Sequence, residues 1–493
     1  MARARFSCWG LCLLCGCGPS ATWQPPPLEG PIPVPPAAAA GAPAAPVGPA
    51  AAGAGATPAH AAPAAPSGPA LTAIEDNVPA ARRQAAAEGK LLLVEIWAPW
   101  CHTCLSMRSY VLTDPALRPL GERVVLAGVD TDRPENAAFL DRHEVTAWPT
   151  LFVLDPKTDE VLGLWQGAAS VGELRGFVQG AADARDEAGA QPQSPLSFLL
   201  RGKRAQARGD YRDAAENYAR AIERSEPGWA RRAEAAYGLL HSQYRRGRWE
   251  ACARTGVEQV ASIAGAALPA DFASYLLECA ARLPGTELAR GAREQALARL
   301  RAHVESPPPE SSVDDRADAL SILSDALRAA GDAAGARQAT QGKLDLLEHA
   351  AARAPTAEIA ATFDYGRMNA YLELGRGEDA VRMLEQRRRE LPDAYEPAAR
   401  LAQALVALGR LHEAQGPLDE ALQRSYGPRR LRYLRMRVDL LGHLGERAAQ
   451  LESARALVAG YEALSPAERA RPPQREGLAE AQRLLGRLQA GGR

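Results

Sequence analysis

Six glycines punctuate the second half of the chain, at positions 209, 247, 331, 375, 409 and 445. Their spacings are 38, 84, 44, 34 and 36 residues, and the 84 accommodates two units. Each glycine separates two stretches rich in Ala, Leu and Arg, as in ARGDYRDAAENYARAI from Ala207. A helix, a small-residue turn and a second helix form one unit that cannot bury its own apolar face, so such units stack. No strand pattern interrupts the chain from about Ser194 onward. The spacing predicts an all-α solenoid over 195–490, with a degenerate unit around ASYLLECAARLPG; a non-repetitive helical bundle is the alternative.

The other end reads differently. MARARFSCWGLCLLCGCG opens with Arg3 and Arg5, followed by an apolar run from Phe6 to Leu14 that is too short to span a bilayer. This is the grammar of an export signal. LCGC at 14–17 resembles a bacterial lipobox, which implies lipid attachment at Cys17 and a signal segment over 1–17; an ordinary secretory signal cut nearby is the alternative. Gly18 follows that cysteine, so by the same resemblance sorting is to the outer membrane. Residues 18–70 are mostly Pro, Ala and Gly, which break helices and cannot build a core, so they are expected to be a disordered tether.

Between 71 and 184 the pattern is α/β. NVPAARRQAAAEGK (77–90) reads as a helix, LLLVEIW (91–97) and VVLAGVD (124–130) as buried strands, and ENAAFLDRHE (135–144) as a helix. TLFVLD (150–155) and EVLGLWQG (160–167) read as a hairpin, and SVGELRGFVQGA as a last helix. The first strand runs directly into WAPWCHTC (97–104), and CHTCLSMRSYVL then opens a helix. Two cysteines three positions apart at an exposed helix start suit thiol–disulfide exchange. Cys101 would gain thiolate character from the helix amides, and Cys104 would lie one turn inward to resolve a mixed disulfide. A zinc site would need two further ligands; His102 and His143 are the nearest candidates, and no second C-x-x-C follows, so no metal is expected. Asp130 and Asp132 read as loop and turn caps, and His143 as a surface helix residue. Trp97 reads as packing. Cys252 and Cys279 either pair across the repeats or remain free and buried.

WAPWCHTC, LTDPAL (112–117), AWPTLFVLD and Gly167 together resemble the thioredoxin superfamily, and within it the C-terminal domain of the DsbD-type thiol–disulfide interchange proteins. The resemblance implies a thioredoxin fold over 71–184. It implies that Cys101 and Cys104 are the redox pair, and that Glu95 takes the proton of Cys104 where the family usually has Asp. Pro149 would be a cis-proline that borders the substrate groove together with Trp100, His102 and Trp148. The His102-Thr103 dipeptide and the bulky Trp148 depart from common family patterns. The second half resembles tetratricopeptide repeats, whose turn signature appears as Gly209/Ala214, Gly375/Ala380 and Gly409/Ala414.

These readings converge on an envelope thiol–disulfide oxidoreductase, lipid-anchored and facing the periplasm. It would reduce protein disulfides without an organic cofactor, using only the Cys101–Cys104 disulfide. Its partners would be a disulfide-bearing client, a protein bound by the repeats and a membrane electron donor. The alternative is a lipid-anchored repeat scaffold with a non-catalytic or redox-sensing thioredoxin-like domain. Lys+Arg 58 balance Asp+Glu 59, which gives no basic face for nucleic acid.

Overall fold

The computed structural model describes residues 71–187 and 193–490. The expected signal segment, Cys17 and the 18–70 tether lie outside the described residues. No helix among the described residues is long and apolar enough to cross a membrane.

Five strands form one sheet: β1 (Ala73–Glu75), β2 (Leu91–Trp97), β3 (Val124–Asp130), β4 (Thr150–Leu154) and β5 (Val161–Gln166). Their order is β1-β3-β2-β4-β5. β3 pairs parallel with both β1 and β2, whereas β4 runs antiparallel to β2 and β5. β2 is central and buried on both faces, which is why it reads as a continuous apolar run. Helices α1 (Val78–Glu88), α2 (His102–Ser106), α3 (Ala137–Leu140) and α4 (Val171–Glu187) complete this lobe. Leu91 and Leu93 pack with Met107, Val111 and the α4 residues Leu174 and Phe177. Leu92, Val94 and Ile96 pack on the other face with Ala81 and Ala85 of α1 and with Phe139. The Asn77 side chain accepts from the Ala80 amide at 3.0 Å to start α1, and Gly89 ends it at φ 68°.

Two sequence expectations change. The helix expected over 135–144 shrinks to a 3-10 turn at Pro134–Asn136 and the four residues of α3. His143 is therefore past the helix, and it is not a surface residue. It is buried, with its ring stacked on Phe139 at a centroid distance of 4.1 Å. β1 was not foreseen, because three residues carry no readable periodicity.

The second half is a series of antiparallel helix pairs, beginning with Pro195–Ala207 and Tyr211–Arg224 and ending with the helix Pro472–Ala490. The turn glycines 209, 247, 331, 375, 409 and 445 all have left-handed φ, between 66° and 86°. A Cβ there would crowd the backbone, which is why the turns are legible as glycines. The long gap resolves at Gly285, φ 77°, between helices Leu268–Ala281 and Glu287–Glu305. This is the tetratricopeptide-like solenoid anticipated from the spacing.

Cys252, on helix Trp249–Gln259, and Cys279, on helix Leu268–Ala281, form a disulfide with their Cα atoms 6.1 Å apart. Both side chains are buried. Closing a loop of this size restricts the unfolded chain, so Cys252→Ala/Cys279→Ala should lower unfolding free energy by about 3 kcal/mol, measured by urea titration of the oxidised protein. Mass spectrometry of an unreduced digest should recover the two peptides linked.

The repeats are fastened to the sheet lobe at several points. Arg204 Nε donates to the Val161 carbonyl at 3.2 Å, the Glu173 carboxylate accepts from the Ala266 amide at 3.0 Å, and Arg471 pairs with Asp141 at 2.5 Å. The tightest approach is at Gly427, φ 54°, where a Cβ would stand 2.0 Å from the backbone oxygen of Asp132. Gly427→Ala should therefore cost roughly 1–3 kcal/mol by forcing this loop apart, seen as a lower urea midpoint with an intact helical signal.

Candidate redox-active site

β2 ends at Trp97, and the chain turns through Ala98-Pro99-Trp100 into Cys101. The Cys101 amide donates to the Ala98 carbonyl at 3.1 Å. Cys101 has extended backbone and caps α2, so its Sγ accepts the amide of Cys104 at 3.0 Å. That amide is one of the unsatisfied donors at a helix start, and it faces the sulfur that must carry negative charge. The two cysteines are joined as a disulfide, with Cα atoms 5.3 Å apart. After Ser106 the helix widens into a π turn, Met107–Val111.

Cys101 and Cys104 pack with Ala98 against Trp97, Trp100 and Trp148. The Trp148–Pro149 peptide bond is cis. The Trp100 and Trp148 rings lie 5.4 Å apart. Trp100, Trp148 and the two cysteines thus meet in one apolar cluster.

Glu95 is fully buried on β2. It shares the parity of Leu91 and Leu93 and so faces the active-site helix. Its Oε2 accepts from Arg108 Nε at 3.0 Å and pairs with Nη2 at 2.9 Å, while Oε1 has no hydrogen-bond partner. Burial pushes the Glu95 carboxyl up, and Arg108 opposes that rise. Arg108 also reaches Glu75 at 3.1 Å and lies 3.6 Å over the Trp97 ring. Sequence reading missed Arg108, although its place seven residues after Cys101 puts it on the helical face below the pair.

The exposed cysteine expected from the sequence is not exposed: Cys101 is 6% accessible and Cys104 0%. The residues on both sides of Cys101 are covered by the repeats. Arg429 lies 4.5 Å over the Trp100 ring, and Tyr365 stacks on His102 at 5.5 Å. His102 Nδ1 stands 2.9 Å from Asp314 Oδ1. Asp130 and Asp132 prove to be more than turn caps. Asp130 accepts from the Tyr426 hydroxyl at 2.5 Å, and Asp132 from the Trp100 indole N–H at 2.8 Å. Burial pushes the Asp132 carboxyl up to about 7, against the Trp100 hydrogen bond and Arg429. None of these repeat residues was singled out from sequence.

Among the described residues, His102, Asp314 and Asp318 bring one nitrogen and two carboxylate oxygens within 4.8 Å of one another. Arg400 acts on His102, and Lys343 acts on Asp318. Protein cations already face this group, so we read it as a charge network and not as a cation site.

The sheet order, the cysteine pair at the end of β2 and the cis-proline beside it define a thioredoxin-like domain. Residues 73–156 match the family described as Thioredoxin-like. Protein disulfide-isomerase 1 of Dictyostelium discoideum is 31% identical over 94 residues, which are 19% of this chain and 25% of that protein. The thiol:disulfide interchange protein DsbD of Tatumella citrea is 32% identical over 77 residues, 15% of this chain and 13% of the relative. The chain thus spans a quarter or less of the length of these curated relatives. Among solved structures, a tetratricopeptide repeat protein from Parabacteroides merdae covers 59% of this chain and 99% of its own, at 13% identity and a TM-score of 0.38. A thermophilic TPR protein from Thermus thermophilus covers 43% and 100%, at 22% identity and a TM-score of 0.28.

Removing the Arg108 cation leaves a buried carboxylate unpaired. Arg108→Met should cost roughly 3 kcal/mol at pH 7. An acid whose folded pKa lies above its unfolded value destabilises the fold as pH rises from the unfolded pKa through the folded one. The loss should therefore be smaller at pH 5 than at pH 7, measured by urea titration at both.

Proposed function

We propose that this chain is a thiol–disulfide oxidoreductase of the bacterial envelope that reduces disulfides in client proteins. The observation that carries the reading is the Cys101–Cys104 pair at a helix start, with the Cys104 amide on Cys101 Sγ and the cis Trp148–Pro149 bond beside it. In the reduced protein the Cys101 thiolate attacks one sulfur of a client disulfide, and the client's other sulfur leaves as a thiolate. Cys104 loses its proton to Glu95 and attacks Cys101 Sγ. The client is released with two reduced sulfurs, and the protein is left with the Cys101–Cys104 disulfide. Two electrons must then be resupplied by a dithiol donor, for which a membrane protein is the proposed source. Trp100, His102, Trp148 and Pro149 border the groove that would take the client. No metal or organic cofactor takes part.

The second disulfide, Cys252–Cys279, supports a compartment where disulfides persist. Anchoring through Cys17 to the outer membrane, on the periplasmic side, completes the proposed location. A second reading is a lipid-anchored scaffold in which the pair only senses redox state. The contacts that repeat residues make with His102 and Trp100 favour it, because a change at the cysteines would be felt directly by the repeats.

The deciding experiment is equilibration of the pair against glutathione or dithiothreitol, with Cys104→Ser used to trap a client as a mixed disulfide. A reduction potential near or below about −270 mV, with trapping abolished by Cys101→Ser, supports the reductase. A value of about −120 to −180 mV turns the direction to oxidation or isomerisation. A pair that forms no reversible disulfide overturns the catalytic reading and leaves the scaffold.

A further inference from the structure

The thiol chemistry proposed above draws on the first half of the chain. The seam, however, brings a repeat carboxylate within hydrogen-bond distance of the dipeptide between the cysteines. We propose that Asp314, on the repeat helix Val313–Ala329, is a positioning residue of that chemistry: by holding His102 it keeps a cation beside the Cys101 thiolate. This rests on the thiol–disulfide reading and adds to it a residue 212 positions away in sequence.

The geometry is specific. His102 is 8% exposed and Asp314 3%, and Nδ1 and Oδ1 are 2.9 Å apart. The imidazole is stacked on Tyr365 with an interplanar angle of 22°, which fixes the ring plane that presents Nδ1 to the carboxylate. Thr103 Oγ1 lies at 3.4 Å from the same nitrogen and is the weaker partner. His102 Nε2 has no hydrogen-bond partner, so nothing competes with Asp314 for the orientation of the ring.

The charged groups facing this ring come from several elements. Asp314 and Asp318 share one helix, and Arg400 stands on helix Glu396–Ala407. Lys343, on helix Ala333–Arg353, acts on Asp318. Burial works against a charged His102 and Arg400 adds to that, but the two carboxylates outweigh both, so its pKa stands above the ordinary value. Asp318 itself is pushed up to about 7 by burial and by Asp314. The two carboxylates thus favour the charged form of the imidazole on the residue following Cys101. A cation there favours the thiolate and speeds its attack.

The test is the pH profile of Cys101 labelling by iodoacetamide in the reduced full-length protein, read on the Cys101 peptide by mass spectrometry. Asp314→Asn should move the profile to higher pH and lower labelling at pH 7 about three- to tenfold, and Asp314→Glu should restore most of it. In a His102→Gln background, Asp314→Asn should produce no such rise. An unchanged profile in folded Asp314→Asn, or the same shift with and without His102, overturns the proposal. Should Asp314→Asn fail to fold, NMR titration of His102 in the unaltered protein decides. A midpoint above the ordinary value of about 6.5 supports the assignment, and one at or below it overturns it. Labelling needs no turnover, so a protein that reduces no disulfide would fail the proposed function while this result stood by itself.

Discussion

An imidazole and a carboxylate from opposite halves of the chain meet at 2.9 Å on the edge of the sheet where the cysteines sit. Around them the same edge gathers Asp132 with Trp100 and Arg429, and Asp130 with Tyr426. These are buried or half-buried polar groups, and such groups are tolerated only while partnered. Separating the repeats from the sheet would strand several at once. The cost of leaving charges alone in an apolar setting therefore helps to hold the association. Among the parts of the sheet lobe it fixes are the loops after β2 and β3, which carry the cysteine pair and its neighbours.

A solenoid is usually pictured as a platform that presents a free surface to another protein. Here part of that surface is spent on the chain's own redox edge. A clean division, in which one half performs chemistry and the other recruits, does not follow from this arrangement. Cys101 is narrowly accessible, and the side chains beside it answer to the repeats as much as to the sheet.

Most of the sheet lobe was legible because its signals are local. LLLVEIW and VVLAGVD are apolar runs between helical segments, and Pro79 near the start of α1 and Gly89 at its end mark its limits. The repeat turns were legible because a left-handed backbone selects glycine. The unit at Gly285 was legible only as a degenerate one, because Leu283-Pro284 before its turn departs from the helix–turn pattern of the others. The cysteine pair, the buried Glu95 and the cis Trp148–Pro149 bond were visible as a pattern in order. Asp314, Tyr365, Arg400, Tyr426 and Arg429 were not, because nothing local distinguishes an arginine that faces solvent from one that lies over Trp100. His143 failed for the same reason: its burial depends on where α3 stops.

The chain carries two disulfides, and the proposed chemistry requires one to open and the other to stay closed. A thiolate displaces sulfur only when it can reach along the S–S axis, and Cys252 and Cys279 are both 0% accessible. Once the repeats have folded, burial closes that bond to an attacking thiolate. The protein is in this sense its own insulator: packing keeps the Cys252–Cys279 bond out of the exchange reactions proposed for its other sulfurs.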